Sequence, residues 1–386
     1  MVDLAWPAIV GMSFYALNTF VDVIFIGQLV GEQAVAGVSL AFPLASIPMG
    51  VAAMLGSGGG SLLSIAIGAG DSALHKRLSG LTGSLAIIAT LPMAAAGAVF
   101  PELFLHWMGG SGEPLRLGAQ YFSVLSLFFP VTVYAISANM LVRAEGRMRT
   151  AMKILAVSTV VNVALNPLFI RTFGLGIRGS ALATNVAMVA LAAAGAVYFR
   201  SGKSSAREPV SLFAYDPKIF KRIISIGLSS FILQGMGVLQ QIFVFRLIAA
   251  HGTEKDVALM GTGLRILFLC VYPVMGIVRA LQPVIGINFG ARQYARVIEA
   301  LRVFSIGGTA FMTLIWLPLT IFSRTVLGWM LPDTAITDTD VLNFRILIVT
   351  LPLMAGVFNG LTFFQAIGHG KTATMLAVSR QILVFV

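Results

Sequence analysis

Apolar stretches long enough to cross a bilayer recur down this chain, at roughly 4–27, 36–67, 78–101, 117–141, 150–171, 178–199, 219–250, 257–289, 298–323 and 340–366. An eleventh starts near 372 and runs to Val386. In hydrocarbon the backbone must satisfy its own N–H and C=O groups, so runs of this length fold as helices. With 58% hydrophobic and 11% charged residues, the chain has too little polar surface to cover a water-soluble body. The expected fold class is an all-α polytopic membrane protein with the lipid bilayer as its first partner. Pro43, Pro48, Pro130, Pro167, Pro273, Pro318 and Pro352 fall inside spans and predict bent helices around a cavity.

The net charge of +11 suggests nucleic acid only until the charges are placed. Of the 26 Lys and Arg, 17 fall in five short segments, 69–79, 142–153, 200–222, 290–302 and 367–380. The positive-inside rule puts these segments in the cytoplasm, so the basicity reports orientation and no nucleic-acid partner. The expected topology is multi-pass, with the N-terminus cytoplasmic. The lone Cys270 and four scattered His residues offer no metal-ligand spacing, and no phosphate-loop motif is present. No cofactor and no enzymatic chemistry are expected, and transport would have to run on an existing ion gradient.

Slid against itself, the chain matches at an offset of 222: Val35-Ala36 on Val257-Ala258, Gly68-Ala69 on Gly290-Ala291, Gly146 on Gly368, and Thr150-Ala151 on Thr372-Ala373. The expected organisation is an N-terminal lobe (1–200), a cytoplasmic linker (201–217) and a C-terminal lobe (218–386). Six spans per lobe make the repeat parallel, a pseudo-twofold along the membrane normal. On this offset the second lobe stops at the equivalent of Ala164, so the twelfth helix and most of the eleventh are expected to be missing. Met1 entering an apolar span without a basic flank suggests that the start is clipped as well.

Within the first span, Tyr15, Asn18 and Asp22 fall at i, i+3 and i+7, one polar stripe on a helix face. A carboxylate inside a span costs roughly 2.5 to 3.5 kcal/mol on insertion scales and is a functional hypothesis by default. Asn162 and Asn166 form an i, i+4 pair on the fifth span; with Asn139 on the fourth and Thr184 on the sixth they are expected to converge with Asp22 on a coupling site. Amide and hydroxyl oxygens beside one carboxylate suit a hard monovalent cation such as Na+, or else the amides serve a protonatable acid. No transition-metal site is expected. The second lobe has Val244 at the Asp22 position and offers Gln240 and Gln241, with Arg265 and Arg279 deep in the eighth span. Together with Tyr15 and Asn18 these are the expected substrate-cavity residues. Arg246 and Arg345, near helix ends, are expected to snorkel to headgroups. Gly56-Ser-Gly-Gly-Gly60 lies in an apolar run and reads as a helix-packing segment.

Several segments resemble the multidrug and toxic compound extrusion family, especially its bacterial DinF-like and MepA-like branch. They are Trp6-Pro7-Ala-Ile-Val-Gly11, Val21-Asp22-Val-Ile-Phe-Ile-Gly27, Gly31-Glu-Gln-Ala-Val-Ala-Gly37, Arg143-Ala-Glu-Gly146, Asn162-Val-Ala-Leu-Asn166-Pro167, Gln282-Pro283-Val-Ile-Gly286-Ile-Asn288-Phe-Gly290-Ala291 and Phe363-Phe-Gln365-Ala-Ile-Gly368. The resemblance implies a twelve-helix, two-lobed antiporter of a bacterial inner membrane that exports amphipathic or cationic drugs in exchange for H+ or Na+ by alternating access; a monomer is expected. It also implies that Asp22 belongs to the coupling site. The pattern departs at Asn166, where family members commonly carry an Asp. The alternatives are a lipid-linked precursor flippase of the same architecture, which needs a strongly cationic cavity, and a non-transporting fragment.

Overall fold

Each apolar run becomes a helix in the computed structural model, which describes residues 2–202, 204, 214–331 and 335–385. The side chains of 2–5, 13–20, 241–242, 245–246, 249–251, 254, 257–258 and 382–385 lie outside that description. The first lobe contains α1 (Val2–Leu29), α2 (Glu32–Ala69), α3 (Ser72–Val99), the short α4 (Pro101–Trp107), α5 (Gly112–Ser126), α6 (Phe129–Ala144), α7 (Met148–Pro167) and α8 (Ile177–Arg200). The second contains α9 (Pro217–His251), α10 (Glu254–Gly290), α11 (Tyr294–Ile321), α12 (Ser323–Met330), α13 (Asp338–Ile348), α14 (Leu351–Ala366) and α15 (Gly370–Phe385). No strand occurs among the described residues.

Two of the predicted continuous spans are broken. The fourth runs as α5 and α6, bent by 59° at a break just before Pro130, where the proline cannot donate to the ladder and its ring displaces the preceding backbone from helical geometry. Its counterpart breaks between α13 and α14, just before Pro352. Pro43 and Pro48 stay inside α2, as Pro273 does inside α10. After Pro167, α7 widens into a π-helical turn, Leu168–Thr172. The Gly56–Gly60 segment is helical and buried within α2, as its apolar setting predicts.

Helix contacts repeat between the lobes: α1 packs on α7 as α9 does on α15, α2 on α6 as α10 does on α14, and α3 on α6 as α11 does on α14. Local geometry repeats too. Gly146 and Gly368, at equivalent turns, have φ of 77° and 82°. Gly70 takes the left-handed turn after α2 with φ 72°, and the equivalent residue after α10 is Arg292 at φ 60°, the one non-glycine in that region among the described residues.

The lobes meet through α2 on α9, α1 on α10 and α2 on α10. Glycines set these crossings. A Cβ on Gly227 would lie 1.9 Å from the Met54 carbonyl oxygen, and one on Gly276 would lie 2.7 Å from the Ile9 nitrogen. Without the pull of water on apolar surface, helices in lipid associate by close backbone approach, and small residues permit it. The shared core includes Leu55 and Leu62 of α2, Ile223 of α9, and Leu281 and Ile285 of α10, all fully buried. These contacts lie toward the end of the molecule where the five Lys/Arg-rich segments gather.

Candidate functional site

Asp22 sits in the part of α1 farther from the basic end, half-buried. Its Oδ1 accepts a 2.8 Å hydrogen bond from Asn166 Nδ2. The same amide nitrogen donates to Asn162 O at 3.2 Å and Oδ1 at 3.3 Å, one helical turn earlier. Asn162 Nδ2 in turn donates to Thr184 Oγ1 on α8 at 3.3 Å. Asp22, Asn166, Asn162 and Thr184 therefore form one polar chain across α1, α7 and α8. Asn166 and Asn162 are 0% and 3% exposed, so their polar atoms must find partners inside the protein. Asn166 Oδ1 is buried with no hydrogen-bond partner, on the amide whose Nδ2 bonds the acid. Tyr121 of α5, which the sequence did not single out, lies within electrostatic reach of Asp22.

The π-helical turn begins two residues after Asn166. Such turns leave the regular ladder and are frequent beside functional groups. Here the widening follows directly on the i, i+4 amide pair.

The other expected members fall elsewhere. Asn139 does not join Asp22: its Nδ2 donates to Ala151 O at 2.8 Å, joining α6 to α7 near the basic end. A buried amide takes whichever acceptor its helix rotation presents, and span composition does not specify that rotation. Arg265 is exposed on α10. Arg279 is half-buried on α10, close enough to the buried Arg143 of α6 for their charges to oppose one another. Gln240 is half-buried on α9. The side chains of Tyr15, Asn18, Gln241 and Arg246 lie outside the described residues. Arg345, expected to reach headgroups, instead donates from Nε to Thr320 O at 3.0 Å and fastens α13 to α11.

Two polar clusters escaped the sequence reading. At the basic end the Glu145 side chain is 0% exposed and accepts from His75 Nε2 at 2.9 Å, Tyr198 Oη at 2.6 Å and Ser204 Oγ at 2.6 Å. Ser204 lies in the segment joining the lobes, so Glu145 holds the start of that segment. Its far end is also held on the first lobe, by Ala214 N donating to Ser84 Oγ at 3.1 Å and by an Arg77–Asp216 ion pair at 3.3 Å. The second cluster crosses between the lobes. Gln282 Nε2 of α10 donates to Ser57 O and Ser61 Oγ of α2, both at 3.0 Å. Ser57 Oγ meets Ser230 Oγ of α9 at 2.9 Å, and Gln365 Nε2 of α14 donates to Ser229 Oγ and Ser230 Oγ at 2.8 and 3.0 Å. Gln282 and Gln365 stood in the resemblance motifs with no role attached to them.

The MatE family model matches the chain twice, over residues 7–168 and 225–386. The multidrug export protein MepA of Staphylococcus aureus is similar, at 26% identity over 98% of this chain and 83% of its own length for strain MSSA476. For strain NCTC 8325 the identity is 27% over the same shares. Among solved structures, MATE in complex with MaD3S superposes with a TM-score of 0.90 at 26% identity, covering 99% of this chain and 85% of that one. MATE in the bent conformation superposes at 0.89 with 26% identity, covering 98% and 84%.

Proposed function

The chain belongs to the MatE family, and from that membership we propose that it is a secondary antiporter of a bacterial inner membrane. It exports amphipathic or cationic drugs in exchange for H+ or Na+ by alternating access, with its basic end in the cytoplasm. The observation that carries the coupling site is the orphaned Asn166 Oδ1 beside the Asp22 carboxylate. A buried acceptor without a partner is costly. Beside an acid it is satisfied in two ways, by a sodium ion shared with Asp22, Asn162 Oδ1 and Thr184 Oγ1, or by a rearrangement that turns it toward a proton on Asp22.

Either cation changes the charge of the first lobe and the hydrogen bonding among α1, α7 and α8. A ligand shifts a two-state equilibrium only by its differential affinity for the two states. Cation capture therefore favours one arrangement of the lobes, and drug binding favours the cation-free form. Each charge entering across 100 mV supplies about 2.3 kcal/mol, roughly fiftyfold in drug concentration. The shared MepA-like sequence supports drugs as the cargo. The Arg143 and Arg279 pair between the lobes favours, as a second reading, an anionic lipid-linked precursor.

The deciding experiment is uptake into proteoliposomes, with Na+ and pH gradients imposed separately and ethidium, a cationic dye, as probe. Ethidium accumulation driven by one gradient supports antiport and names the ion. No accumulation under either gradient, with anionic lipid-linked precursor scrambled between leaflets, selects the second reading.

A further inference from the structure

At the end of the molecule opposite the Lys/Arg-rich segments, α3 turns into the short α4 and α11 turns into the short α12. Phe100, Leu105, Trp107 and Met108 of the first corner recur as Phe322, Leu327, Trp329 and Met330 of the second, each 222 residues on. The leucines point inward and are fully buried, Leu105 in a core with Phe122 and Leu327 in a core with Phe344, which are also 222 apart. The other three of each set face outward. Trp107 and Trp329 are 66% and 80% exposed, and Phe100 and Phe322 are 56% and 58% exposed. A single apolar side chain on a surface needs no explanation, but the same aromatic pair left outside on both lobes does.

The make-up of the exposed face decides what covers it. Glu102 and His106 stand exposed among the apolar residues of α4, and Arg324 and Thr325 among those of α12. Such a face is too polar for hydrocarbon, where a charge is costly, and too apolar for water. It suits the boundary between the two, where an indole lays its ring against acyl chains and keeps its N–H among polar headgroups. The lipid-facing surface leads into each corner: Leu91 and Val99 of α3 and Leu317 and Ile321 of α11 are exposed along the spans that end at Phe100 and Phe322.

We propose that the two corners are matched docking surfaces for the boundary between phospholipid headgroups and acyl chains in the leaflet opposite the basic end, with Trp107 and Trp329 as the anchors. Leu105 and Leu327 fasten each short helix to its own lobe, so the level of the indole sets the level of the lobe. A repeat axis along the membrane normal keeps the two anchors at one height. Sliding either lobe along that axis would drag an indole into water or hydrocarbon. The inference goes beyond the antiport reading and is independent of cargo and coupling ion.

The test uses the full chain in nanodiscs of phosphatidylcholine and phosphatidylglycerol. Trp6→Phe and Trp316→Phe, combined with either Trp329→Phe or Trp107→Phe, leave one tryptophan at one corner. Its fluorescence should fall roughly twofold with lipids brominated near the headgroup end of the acyl chain, less with lipids brominated near the chain end, and equally for the two corners. Should a tryptophan variant fail to fold, Met108→Cys and Met330→Cys, each with Cys270→Ala, carry spin labels whose relative access to oxygen and to a water-soluble nickel chelate reads the same depth. Quenching by iodide with none by either brominated lipid places the corners in water and overturns the proposal. Stronger quenching from the chain end places them in hydrocarbon and overturns it as well. Protection from iodide and from both lipids means that protein covers them, a second copy included, and unequal depths break the pairing; either result overturns the proposal.

Discussion

The two lobes share their helix crossings and differ in what those helices carry. Asp22 of the first lobe is answered by Val244, His75 by Val297, Glu145 by Ile367 and Asn139 by Leu361, each 222 residues on. Among the repeated positions are those that set backbone approach: Gly68 and Gly290, Gly146 and Gly368, Ala144 and Ala366. Packing geometry is thus preserved by small residues, while at those four positions the ionisable or amide group stands in the first lobe alone. A scaffold of this kind fixes where helices cross and leaves each lobe's interior free to differ.

The largest test of that asymmetry is Asp22→Asn. Gradient-driven drug accumulation should fall about fiftyfold, to equilibrium, in proteoliposome uptake, and adding Val244→Asp should not restore it because Val384 stands at the position equivalent to Asn162. Restoration by the double variant would break the comparison. Next comes Glu145→Leu, which gives the first lobe the apolar character of the second and strips His75, Tyr198 and Ser204 of a buried acceptor. It should cost about 3 to 5 kcal/mol, read as a fall in thermal midpoint in detergent, whereas Ile367→Val at the equivalent turn should cost about 1 kcal/mol. Asn139→Leu imports the second lobe's residue at a position that joins two helices and does not touch Asp22. It should cost about 1 kcal/mol of stability with uptake per folded molecule unchanged, and lost coupling would return Asn139 to the site. Smallest is Arg292→Gly, which imports the first lobe's turn residue at φ 60° and should stabilise by about 1 kcal/mol in thermal unfolding.

Much of this was legible before any coordinates. Apolar runs specify helices in lipid because the backbone has no other way to satisfy itself; of the seven in-span prolines, Pro130 and Pro352 stand just after the two breaks, while Pro43, Pro48, Pro273 and Pro318 stay within helices. Asn162 and Asn166 share the face toward Asp22 because i, i+4 spacing on one helix fixes a common side, and Thr184 joins them from α8 through Asn162. Asn139 bonds Ala151 rather than Asp22 because the rotation of a span about its axis depends on neighbours that are distant in sequence. Glu145 was hidden for the same reason. In the chain it stands in a polar turn, and His75, Tyr198 and Ser204, from α3, the end of α8 and beyond, enclose it.

The segment between the lobes is fastened at Ser204 and again at Ala214 and Asp216, both times to the first lobe. The second lobe is therefore not hung on a cord. It is seated against its twin mainly by the faces of α1, α2, α9 and α10, with smaller contacts of α14 on α2, α3 on α9 and α10 on α6. Severing the covalent connection between those anchor points would leave the seating intact, so two polypeptides made separately should find each other in the membrane and work as one.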